Sequence, residues 1–167
     1  MYMTENKYSH VSIPKKVEIA CELLLKEDRD LFTYEVNERT LTQNLAKHLQ
    51  KFFPNFSVDC EYNRDGNDPK EIPQNDPENP TKKVIPDIII HKRGCNAHNL
   101  VVIEAKKDAN DCDMRNDCVK LLGICETLKY HRAFFVDFIC NPQSPQIDVY
   151  VLRKTKTIFS VPYDPNS

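Results

Sequence analysis

The chain has 167 residues, 40% hydrophobic and 29% charged, the balance of a soluble globular protein long enough to bury a real core. Its formal net charge is −2 and its pI about 6.2, so it is no polycation. Nucleic-acid binding, if any, must come from local patches and is weak without a metal. No run of about 18 apolar residues is present, which excludes a membrane-spanning helix. The opening "MYMTENKYSHVSIPKK" lacks the apolar core of a signal peptide, so a cytoplasmic location is expected.

In chain order, Pro14 follows Ser12-Ile13 as a helix entry, and Val17, Ala20, Cys21, Leu24 and Leu25 recur at helical spacing. A helix is predicted near 14–27. A second is predicted from Asn37, a capping residue, to Phe53, before Pro54. Leu41, Leu45, Leu49 and Phe52 form its apolar stripe, and Glu38 lies on or beside that face. "FSVDCEYNR", 56–64, alternates like a strand. Residues 65–83, rich in Asp, Asn and Pro, read as a long loop.

Strands are predicted at 84–91 and 100–106. A helix over 113–129 follows, with Met114, Cys118, Leu121, Leu122, Cys125 and Leu128 as its stripe. Two more strands are predicted, at 132–140 and 146–154, then a loose tail at 160–167. This order fits one α/β (α+β) domain, a mixed sheet of about five strands flanked by helices. The seven cysteines lack paired spacing, so reduced and mostly buried thiols are expected, with Cys112, Cys118 and Cys125 in the core.

The chemistry concentrates in "IPDIIIHKRGCNAHNLVVIEAKK", 85–107. If its two apolar runs pair antiparallel in the symmetric register, His91 faces Leu100 and Asp87 faces Glu104. Opposed side chains share a face, and Lys106, two residues beyond Glu104, shares it too. Two carboxylates at close range repel unless a cation lies between them. A hard divalent ion takes such oxygens together with water and phosphate. The alternative reading of the same residues is a structural salt-bridge cluster at the ends of two strands.

"PD" at 86–87 followed by "EAK" at 104–106 resembles the PD-(D/E)xK nuclease superfamily, over roughly residues 37–140. The resemblance implies a restriction-endonuclease-like fold with core order αβββαβ, of a small standalone prokaryotic type. It implies Mg²⁺, with Mn²⁺ able to substitute, held by Asp87, Glu104 and the carbonyl of Ala105. Lys106 would position the attacking water. Glu38 fits the further acid that such proteins often carry on the first core helix, with Glu35 a weaker substitute. A plain first-turn glutamate favoured by the helix dipole is the other reading of Glu38. The additional helix at 14–27 lies outside the family minimum.

Around this centre, Tyr62 and Arg64 at a strand end are candidate contacts to phosphate or base, and Lys120 is a candidate to lean in from the following helix. Lys107, with Lys82, Lys83, His91, Lys92 and Arg93, can form a basic rim. An ordinary strand end, a snorkelling lysine and a solvated hairpin tip are the alternatives. With only three glycines, the chain has no glycine-rich phosphate loop, and no G-x-S-x-G elbow is present. The expectation is therefore a metal-dependent nuclease acting on phosphodiester bonds of DNA, in restriction, phage defence, repair or a mobile element. A homodimer would suit cutting both strands. The competing expectations are a catalytically inactive module of the same fold that binds nucleic acid or a partner protein, and a scaffold docking a partner through 65–83.

Overall fold

The computed structural model describes residues 9–152 and the backbone of 157–162. Helix α1 spans Ile13–Glu27, entered through Pro14. Helix α3 spans Glu38–Phe52 after a single turn, α2, at Asp30–Thr33 that no periodicity announces. Asn37 caps α3 as expected: its side chain accepts the Thr40 amide at 2.9 Å, satisfying one of the donors a helix start leaves open. Helix α4 spans Asp111–Leu128, with Asn110 accepting from the amides of Cys112 and Asp113.

The main sheet is mixed and six-stranded. Its strands are β1 (Ser57–Cys60), β6 (Ile88–His91), β7 (Val101–Lys107), β8 (Arg132–Ile139), β9 (Gln146–Leu152) and β10 (Thr157–Pro162), adjacent in that order. All neighbours are antiparallel except β7 and β8, which run parallel. A parallel pair needs a crossover, and α4 supplies it.

Helices α1 and α3 pack on one face, where Val17, Leu24, Leu41, Leu45 and Leu49 meet Ile88, Ile90, Ile103, Phe134 and Val136. Helix α4 covers the other, where Leu121, Ile124 and Leu128 meet Ile89, Val102 and Phe135. Each such side chain contributes roughly 1.5–3 kcal/mol when fully buried. Strands β6 and β7 are covered on both faces, which explains their unbroken apolar runs.

Several expectations need correction. Residues 65–83 are not a structureless loop. Arg64–Asp65 (β2) pairs with Asp68–Pro69 (β3), and Glu71–Pro73 (β4) with Thr81–Lys83 (β5). Ile72 and Val84 are buried against α4, and a Cβ on Gly123 of α4 would come within 3.0 Å of Ile72 Cδ1. The predicted strand at 56–64 breaks at Glu61, whose positive φ of 50° interrupts the ladder. The tail at 160–167 is not wholly loose, since 160–162 belong to β10; residues 163–167, and 153–154 of the predicted last strand, lie outside the described residues. Of the seven free cysteines only Cys21 is buried, and Cys112 is exposed. Leu122 also faces outward, because the buried stripe of α4 is centred on Leu121, Ile124 and Leu128.

Candidate functional site

The register of β6 and β7 is the symmetric one: Ile88 pairs with Ile103, Ile89 with Val102 and Ile90 with Val101. The ladder then stops, because β6 begins at Ile88 while β7 runs on to Lys107. Asp87 sits at this step. Its carboxylate accepts the Ala105 amide at 2.8 Å, taking the place of a neighbouring strand's carbonyl. In a pleated strand the N–H and C=O of one residue leave on the same side, so the Ala105 carbonyl also belongs to the Asp87 edge of β7.

Glu104, only 1% exposed, lies on the α4 face with Val102. Lys120 reaches it from α4: its ammonium is 2.8 Å from Glu104 Oε2 and 3.1 Å from the Ile85 carbonyl. The other oxygen, Oε1, is buried and has no hydrogen-bond partner. Burial above all, then the charge of Asp87, pushes the Glu104 carboxyl up to about 8 against the opposing pull of Lys120. Burial likewise raises Asp87, although the Ala105 amide, Lys120 and Lys106 resist it.

Lys106 projects from the end of β7 between two helices. Its Nζ lies 3.6 Å from Glu38 Oε1 on α3 and 3.7 Å from Asp117 Oδ2 on α4. Burial works against its charge. The carboxylates of Glu38, Asp117, Asp87 and Glu104 outweigh that and raise its pKa, so Lys106 is an ammonium at neutral pH. Glu38 has a second duty: its Oε2 accepts the Lys107 amide at 3.0 Å, tying the start of α3 to the end of β7.

Thus Glu38, Asp87, Glu104, Ala105, Lys106 and Lys120 gather at one end of the sheet. Sequence reasoning missed Asp117. Its only signal was its place three residues before Lys120, on the same side of the helix. A small cleft lined by Glu38, Arg39, Thr42, Gln43, Cys60, Glu61 and Asp87 adjoins the group on the α3 side. Arg39 is ion-paired to Glu61 there. As the side chains lie, no group of three or more His, Cys, Asp or Glu among the described residues could hold a metal ion.

Other candidates are not drawn in. The Tyr62 ring packs edge-on against His91, with centroids 4.8 Å apart, toward the opposite end of β6 from Asp87. The Lys70 ammonium stands over its ring. Arg64 is exposed and donates to the Asn67 carbonyl. Lys107 turns to the far face, where its ammonium binds the Val36 carbonyl at 3.1 Å. His91 is not a solvated hairpin tip but is buried, bonded to Asp59 at 2.8 Å, and Arg93 pairs with the same carboxylate. That cluster fastens β1 to β6.

No family model, curated protein or solved structure matches the chain. Any functional reading therefore stands on the site itself and on the motif resemblance.

Proposed function

We propose that the protein is a metal-dependent nuclease of restriction-endonuclease-like fold that hydrolyses phosphodiester bonds in DNA. The observation that carries this reading is the buried, partnerless Glu104 Oε1 beside Asp87 at the step between β6 and β7. A buried carboxylate oxygen without a partner is costly. The charges point the same way. Four acidic side chains (Glu38, Asp87, Glu104, Asp117) meet two ammoniums (Lys106, Lys120), and burial with the charge of Asp87 makes Glu104 hold its proton up to about 8, a strain that a divalent cation would relieve by taking the proton's place.

Asp87, Glu104 and the Ala105 carbonyl are the oxygens that would hold Mg²⁺ or Mn²⁺, and hard oxygen donors suit either ion. Such an ion, when bound, acidifies a water and offsets charge developing on the phosphate. Lys106 keeps its proton, so it acts as a fixed positive group that orients the attacking water and a phosphate oxygen, not as a base. Glu38 and Asp117 hold that ammonium from two sides. The test is plasmid cleavage in Mg²⁺ or Mn²⁺. Asp87→Ala and Lys106→Ala proteins should lose it, and cleavage by either at the wild-type rate rejects the reading.

Two observations favour a second reading, a module of the same fold that binds nucleic acid or a protein without turnover. Lys120 already occupies Glu104 Oε2, and the charge of the chain is slightly acidic. Calorimetry separates the two. An inactive module shows no magnesium- or manganese-dependent heat that Asp87→Asn abolishes.

A further inference from the structure

The outer face of α4 carries a stripe that stands exposed among the described residues. Val119 is 63% exposed and Leu122 47% exposed. Arg115 lies one turn before them and Glu126 one turn after, both exposed. Neither charged side chain forms an ion pair with any described residue.

The order Arg115, Val119, Leu122, Glu126 steps by four, three and four residues. That is the alternation of a two-helix seam, in which apolar knobs of one helix enter holes of another. The sequence of the stripe is also self-complementary when read backwards. Against an antiparallel copy with the two-fold axis between Lys120 and Leu121, each Val119 meets the other copy's Leu122, and each Arg115 meets the other copy's Glu126. The apolar pair lies at the centre and the opposite charges lie outside it. A parallel arrangement would set Arg115 against Arg115 and Glu126 against Glu126.

We propose that this face of α4 is a homodimer interface, two copies of α4 packing antiparallel in that register. The occupant is a second copy of this chain, because the charge pattern complements itself and two-fold contacts use one surface twice. Helices so packed lie about 8–10 Å apart. The cleft lined by Glu38, Glu61 and Asp87 opens on the α3 side, so pairing leaves it accessible. The inner face of the same helix supplies Asp117 and Lys120, so the dimer axis passes beside both candidate sites. The inference does not depend on the nuclease reading.

Sedimentation velocity over a wide range of protein concentration tests it. The wild-type chain should show a reversible monomer–dimer equilibrium. Leu122→Asp should weaken it at least about tenfold. Arg115→Glu and Glu126→Arg should each do the same by setting like charges face to face, while the double variant R115E/E126R should return to near the wild-type constant. All these positions are exposed, and unchanged thermal unfolding of the monomer confirms that each variant folds. A wild-type chain that stays monomeric overturns the proposal. So does a dimer that is indifferent to Leu122→Asp, or single charge reversals that the double variant fails to rescue.

Discussion

Asp87 binds the main chain of Ala105 across 2.8 Å, so a side chain completes a sheet edge that strand β6 abandons one residue too early. The residue therefore has a structural role that is separable from any chemistry. Asp87→Ala should leave the buried Ala105 amide unsatisfied and cost about 1–3 kcal/mol in denaturant unfolding. Asp87→Asn keeps an acceptor and should cost clearly less, while the proposed metal binding should be lost in both. Equal destabilisation by the two substitutions would show that the amide is satisfied another way.

The pair Lys120–Glu104 is buried on the acid side and partly open on the lysine side. Lys120→Met should destabilise the protein above about pH 8, where Glu104 is ionised and would be stranded in an apolar setting. The loss is limited, since the carboxyl can take up a proton instead. Adding Glu104→Gln to Lys120→Met should recover part of the stability, and a double-mutant cycle by urea unfolding measures the coupling.

The Glu104 carboxyl, at about 8 in the fold against an ordinary 4.5, makes a signed prediction about pH. Between those values the folded protein holds a proton that the unfolded chain has released. Its contribution is full below pH 4.5 and is lost as pH rises through about 8. In chelator-treated protein, stability should fall across this window by up to about 1.4 kcal/mol per pH unit. The raised Asp87 acts in the same direction. Glu104→Gln should flatten the slope, and urea midpoints at several pH values give the comparison.

Asn37 caps α3 immediately before Glu38, the residue that reaches both Lys106 and the Lys107 amide. Asn37→Ala should cost about 1 kcal/mol, and Asn37→Ser much less. If the cap also fixes Glu38, the proposed nuclease activity should fall further than the stability loss explains, with Asn37→Ser restoring it.

Much of this site was legible in the amino-acid order because its signals are local. Proline and asparagine marked the entries of α1 and α3, and two apolar runs around one turn suggested the symmetric register, which the ladder keeps from Ile88–Ile103 to Ile90–Val101 and which stops short of Asp87 and Glu104. Less was legible where signals were short or shared. Strands β2 to β5 hold two or three residues each, too few to show alternation. Helix α4 carries apolar side chains nearly all round, so periodicity alone could not tell Leu121, which is buried, from Leu122, which is not. Asp117 gave little warning because its partner, Lys106, is distant in sequence and comes from a strand.

The close seat of Gly123 upon Ile72 makes the Pro-rich insertion a buttress. It props the back of the helix whose earlier turns present Asp117 and Lys120, so the aim of those two side chains is set in part by a hairpin that forms no hydrogen bond or ion pair with either among the described residues. Trimming that hairpin would loosen the helix from behind and blur the charged end of the sheet without altering one residue of it.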